Sequence, residues 1–214
     1  MAPNETLFFE GPAGRIEALL MNPAGPPVAV GIVCHAHPLH GGMMHFKAVF
    51  RAAKALQGRG VATLRFNFRG VGLSEGAHDD GRGEQDDVRA AVDEMVRRFP
   101  ALPLVLGGFS FGAVMALAAG LRDPRVQALF ALGYPSTLQP DLSFLSGCTR
   151  ACLFVQGERD AFGPGETLRA GVTALGLPKA SVAVIAGSDH FFTAHLKKLE
   201  AMLSDWAASR PWTG

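Results

Sequence analysis

The stretch GGFSFGA at residues 107–113 decides the fold of this chain. It follows a short apolar run, residues 102–106, that is typical of a strand buried on both faces. It precedes an alanine-rich run, residues 114–119, that favours a helix. A serine at a strand-to-helix turn, with glycine two residues away on each side, is the nucleophile-elbow pattern. The pattern predicts a strained turn that lifts the hydroxyl of Ser110 above the edge of a sheet.

Two further properties of this stretch point to a reactive serine. Gly108 and Gly112 carry no Cβ, so neighbouring backbone is able to pass close to the turn. The helix that follows brings its first N–H groups to the place where an oxyanion forms when a serine attacks a carbonyl. We therefore interpret Ser110 as the candidate nucleophile and the N–H of Phe111, the next residue, as one oxyanion donor.

The rest of the chain predicts an α/β fold. Residues 6–9 and 16–20 flank a glycine-containing turn and predict an antiparallel hairpin. From residue 28 onward strand-like and helical patterns alternate, which predicts a mostly parallel sheet of about eight strands with helices on both faces. No repeat or linker interrupts residues 1–214, so a single domain is expected. The later strands are predicted at 28–33, 61–68, 102–106, 126–132, 151–155 and 181–185, and the helices outside the serine helix at 46–57, 84–99, 167–175 and 194–208.

Composition excludes several classes of function. Hydrophobic residues make up 48% of the chain, which is enough for a sizeable core. The net charge is +1, and the charged residues are scattered and form no basic stripe that would bind nucleic acid. The longest apolar runs of the chain have only the length of a strand, so no membrane partner is predicted. The first residues do not resemble a signal peptide, and Cys148 and Cys152 lack redox-pair spacing. A reducing cytoplasm is the expected location.

An acid and a histidine follow the serine in the order that accompanies a nucleophile elbow. Asp160 comes after the predicted strand at 151–155, and His190 comes after the last strand. The carboxyl ends of parallel strands meet at one edge of a sheet, so both side chains are expected near Ser110. A serine hydroxyl needs a neutral imidazole to take its proton, and a carboxylate to orient that imidazole. The three residues therefore predict a catalytic triad.

Several more residues compete for roles in this site. Asp141, Glu158 and Asp189 are alternative acids, although Asp189 adjoins the histidine and points elsewhere. Cys34 is an alternative nucleophile that nothing activates. A zinc site is also conceivable but no carboxylate or thiolate cluster completes it, so neither metal nor cofactor is predicted. The histidines that suggest zinc are His35, His37, His40 and His45.

Several charged residues have simpler interpretations. Glu84, Asp86 and Asp87 open a helix, suit its dipole and predict a solvated face. Arg65 lies in a mostly apolar strand and needs a partner that the sequence does not identify. The loop at residues 69–76 lacks a complete Gly-x-Gly-x-x-Gly, so a dinucleotide site is not favoured.

At this point the chain resembles the α/β-hydrolase superfamily over nearly its whole length. HAHPLHGG at residues 35–42 and RFNFRG at residues 65–70 are similar to a group of small bacterial hydrolases without a lid. That group usually carries His-Pro-His-Pro at the positions of residues 35–38, where this chain has Ala36 in place of the first proline. It also usually carries asparagine at the position of Phe46. The resemblance implies a serine hydrolase, most simply an esterase, with the N–H of His37 as the second oxyanion donor. Pro38 has no N–H to offer.

The resemblance also bears on the substrate. Lidded relatives insert helices between the strands at 126–132 and 151–155, where this chain has fewer than twenty residues. An open site walled by Tyr134, Phe162, Phe191 and Phe192 is expected to take small acyl esters. Thioesters and small amides or peptides would be cleaved by the same chemistry. The pattern is also compatible with acyl transfer to an acceptor other than water and with a non-catalytic binding protein of the same fold.

Overall fold

Eight strands form one sheet in the computed structural model, which describes residues 4–210 and residue 212. The strands are β1 (Glu5–Gly11), β2 (Gly14–Met21), β3 (Ala29–Cys34), β4 (Val61–Phe66), β5 (Leu104–Phe109), β6 (Val126–Leu132), β7 (Ala151–Gly157) and β8 (Ala180–Ile185). The α-helices are α1 (Lys47–Gln57), α2 (Arg82–Arg98), α3 (Phe111–Leu121), α4 (Gly165–Ala174) and α5 (Leu196–Ala208).

The sheet is mostly parallel, with an antiparallel hairpin at its N-terminal edge. Its strand order is β1-β2-β4-β3-β5-β6-β7-β8. The β1–β2 and β2–β4 pairs are antiparallel, and β3 to β8 run parallel to one another and to β4. The predicted fold class is therefore confirmed. Residues 1–3, 211, 213 and 214 of the predicted domain lie outside the described residues.

Two apolar layers cover the sheet. Helices α2, α3 and α4 pack on one face, and α1 and α5 pack on the other. Neighbouring residues of a central strand serve opposite layers: Ile32 belongs to the first and Val33 to the second, and both are fully buried. This is why β3 and β5 read as continuous apolar runs rather than alternating ones.

The start of α2 differs from the sequence prediction. Glu84 and Asp87 are fully buried, so the expected solvated face is wrong for both. Glu84 accepts hydrogen bonds from the N–H groups of Asp79 and Gly81, at 2.9 and 2.8 Å. Asp87 binds Arg69, whose Nη2 lies 2.7 Å from Oδ1 and whose backbone N–H lies 3.0 Å from Oδ2. Buried carboxylates need such donors to offset their lost hydration.

The connection from β6 to β7 contains no lid domain. Residues 133–150 hold one short turn of 3₁₀-helix, Ser143–Leu145. The carboxyl edge of the sheet is therefore not covered by an inserted helical layer. Within the described part of the chain, no helix is long and apolar enough to cross a membrane.

Candidate active site

Ser110 is the single residue between β5 and α3, and its backbone is strained. Its φ is 56°, a value that residues with a side chain rarely adopt. The N–H of Ser110 donates to the carbonyl of Leu132 at the end of β6, at 2.9 Å, which ties the turn to the neighbouring strand. The side chain is half-buried. The predicted elbow is therefore present.

The two glycines of the elbow allow backbone to pass where a side chain would collide. A Cβ on Gly112 would overlap the carbonyl oxygen of His35 and the end of β3. A Cβ on Gly108 would lie 2.8 Å from the carbonyl oxygen of Cys34. The loop after β3 therefore runs directly against the first turn of α3, which brings residues 35–42 to the serine.

A chain of hydrogen bonds joins the three residues of the predicted triad. Oγ of Ser110 lies 3.0 Å from Nε2 of His190, and Nδ1 of His190 lies 2.8 Å from Oδ2 of Asp160. Asp160 is 1% exposed and His190 is 5% exposed. An imidazole whose Nδ1 donates to a carboxylate has its lone pair on Nε2 when the ring is neutral. That lone pair faces the serine hydroxyl, as a general base must.

Two loops bring the acid and the base together. The turn after β7 carries Asp160, and the loop after β8 carries His190. A Cβ on Gly157 would lie 2.6 Å from the carbonyl oxygens of Ser188 and Asp189, so the loops touch through their backbones. The N–H of Arg159 donates to the Ser188 carbonyl at 2.9 Å.

The three alternative acids have partners of their own. Asp189 accepts from the N–H of Thr193 at 2.9 Å, and this bond holds its pKa below the ordinary value. Asp141 accepts from Ser143, which likewise lowers its pKa, and Glu158 accepts from the N–H of Gly187. Of these four acids, Asp160 is the one hydrogen-bonded to His190.

The two predicted oxyanion donors lie on facing loops. Phe111 is the first residue of α3, so its N–H has no acceptor within the helix. His37 lies on the loop after β3, and its ring packs against the ring of Phe111 at a centroid distance of 4.9 Å. Both residues line the cavity that contains Ser110.

A cavity of about 410 Å³ opens at Ser110 and His190. Phe162 and Phe191 line it. The pocket role predicted for Tyr134 and Phe192 is wrong, because both side chains are fully buried and neither lines the cavity. Tyr134 packs edge-on to Phe154, where burial raises the pKa of its hydroxyl, and Phe192 packs against Phe109. The remaining lining side chains were not predicted from the sequence, and they include Phe46, His78, Met115, Leu138 and Gln139.

Comparison with known proteins accords with this geometry. A sequence model of the α/β-hydrolase domain matches residues 29–208. The chain belongs to the α/β-hydrolase family. An uncharacterised protein of Rickettsia prowazekii is 34% identical over 207 residues, which cover 94% of this chain and 87% of that protein.

Solved structures of α/β hydrolases match nearly the whole chain. An α/β serine hydrolase homologue from Coxiella burnetii is 35% identical, with a TM-score of 0.88 and coverage of 96% of this chain and 98% of that one. An α/β serine hydrolase without a lid from Xanthomonas campestris is 31% identical, with a TM-score of 0.88 and coverage of 99% and 98%. The hydrolase fold without a lid is thus shared with a relative above 30% identity.

In this α/β hydrolase the end of β4 holds the loop that carries His37. Arg65 is 3% exposed, and its Nη1 donates to the carbonyl of Met44 at 2.6 Å. Oδ1 of Asn67 accepts from the N–H of Met44 at 2.8 Å. Both polar groups of the Met44 peptide backbone are therefore bound from β4 and the residues that follow it. The partner of Arg65 that the sequence did not identify is this carbonyl.

His35 fixes the beginning of the same loop of the hydrolase. Its Nδ1 lies 2.6 Å from the carbonyl oxygen of Ala36, and its Nε2 accepts from the N–H of Phe68 at 3.0 Å. The side chain is fully buried, and this burial lowers its pKa to about 4. His35 is thus a neutral structural bridge between the loop and the segment after β4.

Phe46, one of the two departures from the lidless group, walls the cavity of this hydrolase. It precedes α1 at the position of a capping residue, and its side chain makes no capping hydrogen bond. Its ring stacks on Phe109 at 5.3 Å and lies 6.1 Å from Phe191. The aromatic side chain therefore contributes apolar wall where a polar side chain would cap the helix.

The competing nucleophile and metal interpretations gain no support. Burial raises the pKa of the Cys34 thiol, which leaves it protonated and unreactive. Among residues 4–210 and 212, no group of three or more His, Cys, Asp or Glu side chains is arranged to hold a metal ion. The imidazole of His37 stacks on that of His40 at a centroid distance of 4.5 Å.

Proposed function

We propose that this α/β hydrolase is a serine hydrolase that cleaves small carboxylic esters through an acyl-enzyme. The observation that carries the proposal is the hydrogen-bond chain from Ser110 through His190 to Asp160, which ends in an open cavity. Relatives described as serine hydrolases, at 35% and 31% identity, support the same reaction class.

The first half of the proposed reaction acylates the serine. As Oγ of Ser110 attacks the ester carbonyl carbon, its proton passes to Nε2 of His190. The resulting imidazolium is stabilised by the carboxylate of Asp160. The N–H groups of His37 and Phe111 donate hydrogen bonds to the former carbonyl oxygen as it becomes negatively charged. Collapse of the tetrahedral intermediate breaks the ester bond, and Nε2–H of His190 protonates the departing alcohol.

The second half releases the acid. A water molecule donates a proton to Nε2 of His190 as its oxygen attacks the acyl carbon. The same two N–H groups donate hydrogen bonds to the oxyanion of the second tetrahedral intermediate. When the bond to Ser110 breaks, His190 returns the proton to Oγ. The cycle uses protein groups and water alone, so the proposal includes no cofactor and no metal.

The shape of the cavity supports a small, partly apolar substrate. Its volume of about 410 Å³ lies toward the low end for small-molecule sites, which span roughly 300–1,000 Å³. Phe46, Phe162 and Phe191 supply apolar wall around the serine. The absence of a lid layer leaves no cover that a long lipid chain would lie beneath. A short acyl ester fits these features.

A panel of substrates tests the proposal. Short and long acyl esters, thioesters and anilides are offered to the wild-type protein, with Ser110→Ala as the blank. The proposal expects the highest kcat/KM for short esters and no turnover above blank in the variant. Preference for thioesters or anilides would replace the ester assignment while keeping the triad. Turnover that survives Ser110→Ala would remove the serine mechanism.

A further inference from the structure

Gln156, in β7, reaches the acid of the proposed triad from below. Its side chain is fully buried, and its Nε2 lies 2.8 Å from Oδ2 of Asp160. That oxygen is the one that also binds Nδ1 of His190 at 2.8 Å. The second carboxylate oxygen, Oδ1, accepts from the N–H of Phe162 at 2.8 Å. Three donors therefore hold the carboxylate, and one of them is a side chain outside the triad.

The orientation of the Gln156 amide is fixed by its neighbours. Oε1 accepts from the N–H of Tyr134 at 2.8 Å, which only an oxygen is able to do. Nε2 faces three acceptors and no donor: the Asp160 carboxylate, the Gly163 carbonyl at 2.6 Å and the Tyr134 carbonyl at 3.2 Å. A flipped amide would place oxygen against all three, so the observed orientation is the one that satisfies the site.

The hydrogen bonds of the Gln156 side chain link three segments whose relative positions determine where Asp160 lies. Gln156 belongs to β7, Tyr134 follows β6, and the turn with Asp160 and Gly163 follows β7. The bidentate contact with the Tyr134 peptide backbone anchors the amide to the neighbouring strand. The two N–H groups of Nε2 are shared among the Tyr134 carbonyl, the Gly163 carbonyl and the Asp160 carboxylate. Rotation of the carboxylate about its last bond would break both its contact with Nε2 and its alignment with His190.

We propose that Gln156 is a positioning residue that holds Oδ2 of Asp160 in line with Nδ1 of His190. This inference rests on the proposed function, because alignment of the acid matters only if His190 acts as a base. Gln156 touches neither the substrate cavity nor the serine hydroxyl, so it acts through Asp160. Loss of its donor leaves the buried carboxylate with one fewer hydrogen bond and more freedom to rotate.

Two substitutions at Gln156 separate positioning from mere packing. Gln156→Met keeps the length of the side chain and removes the donors. We expect kcat to fall about 10- to 100-fold, the usual effect of losing one hydrogen bond to a charged group, while KM changes little. Gln156→Glu adds negative charge beside Asp160, which favours the protonated form of His190. The acid limb of its kcat/KM profile should therefore move to higher pH.

A control variant accounts for the general cost of losing a glutamine. Gln57→Met removes a hydrogen bond of the same length from a half-buried glutamine, from Nε2 to the carbonyl of Asn22 at 2.8 Å, at the end of α1. The end of α1 lies close to the start of β4, at the amino ends of the parallel strands. The triad lies at their carboxyl ends. Gln57→Met should keep the wild-type kcat and pH profile. The second acid near His190, Asp189, is unchanged in every variant and cannot account for a difference between them.

Proton NMR supplies a readout that does not need turnover. Nδ1–H of His190, bound to Asp160, gives a resonance far downfield, which should move or broaden in Gln156→Met and stay in Gln57→Met. If Gln156→Met does not fold, Gln156→Asn removes the same contact in another way, because its amide is one methylene farther from the Asp160 carboxylate. An unmoved resonance with wild-type kcat in the folded variant overturns the positioning role. A wild type that turns over no ester overturns the proposed function instead, and the resonance then decides about Gln156 separately.

Discussion

The guanidinium of Arg65 is buried against a carbonyl oxygen, that of Met44, at 2.6 Å, and not against a carboxylate. A buried cation whose partner is neutral is costly, because a single carbonyl offsets only part of its lost hydration. Its face lies 5.4 Å from the ring of Phe50, which gives the charge a second favourable contact. The hydrogen bond between Arg65 and Met44 joins β4 to the loop that carries His37. It therefore couples the stability of the sheet to the proposed oxyanion hole.

Arg65→Met should lower both stability and ester turnover. The substitution leaves the Met44 carbonyl without its charged donor, which costs about 1.5–3 kcal/mol and loosens the loop. We also expect kcat/KM to fall about tenfold because the loosened loop holds His37 less well, which corresponds to about 1.4 kcal/mol of transition-state stabilisation. Steady-state kinetics and thermal unfolding measure the two effects. Arg59→Met, which removes a half-exposed arginine paired with α5, is the control and should change neither quantity appreciably.

Gly112→Ala should disrupt the elbow. The added Cβ would overlap backbone oxygens of residues 34 and 35, and backbone is unable to move aside as a flexible side chain does. We expect a loss of roughly 2–3 kcal/mol or more in the free energy of unfolding, together with loss of ester turnover. Gly25→Ala, where a Cβ meets nothing within 4 Å, is the matched control. A Gly112→Ala protein of wild-type stability would contradict the close approach of the β3 loop.

Stability should fall in mild acid because of His35. Its pKa is lowered to about 4 in the folded protein by burial, against 6.5 as the ordinary value. Between these values the unfolded chain binds a proton that the folded protein does not, so stability rises with pH there. The contribution of His35 is therefore fully present above about pH 6.5 and is lost as the pH falls toward 4. Between pH 7 and pH 5 the loss from this residue is about 2 kcal/mol.

His35→Gln separates this residue from the remaining titrating groups. Glutamine retains one donor and one acceptor for Ala36 and Phe68, and it does not titrate. Urea unfolding at about pH 7 and pH 5 should show a smaller difference in the variant than in the wild type. Equal differences in the two proteins would show that His35 does not carry the acid sensitivity.

The aromatic wall should set the preference for acyl size. Phe46→Ala and Phe162→Ala each enlarge the cavity beside Ser110. We expect the ratio of kcat/KM for longer esters to that for short esters to rise about tenfold, the usual scale of discrimination in an apolar pocket. Leu73→Ala, an exposed apolar residue outside the cavity lining, is the control. An unchanged ratio in both aromatic variants would place the acyl group elsewhere.

Much of the architecture was predictable because the signals are local. The hairpin, the alternation of strands and helices, and the turn at Ser110 follow from residue patterns within a few positions. The structure brings Ser110, Asp160 and His190 together because each follows a parallel strand and those ends share one edge. The missing lid follows from the number of residues between β6 and β7.

Further features depend on side-chain direction and contacts distant in sequence, which local patterns do not contain. Tyr134 and Phe192 follow strand ends as Phe162 and Phe191 do, yet they turn into the core, and Phe192 has a φ of 54°. The buried pair of Arg69 and Asp87 joins residues 18 positions apart on different elements. In the sequence, these charged residues have the same pattern as residues on a solvated helix face, and only the packing around them shows that they are buried.

Labelling with a fluorophosphonate probe tests the central claim most directly. The probe reacts with a serine only if a base activates its hydroxyl and an oxyanion site is present. Intact mass and peptide mapping of the wild-type protein should show one label, on Ser110. Ser146→Ala, which removes an exposed serine, should label like the wild type, and Ser110→Ala should not label. Wild-type protein that stays unlabelled, or carries its label on another residue, would contradict the proposed nucleophile.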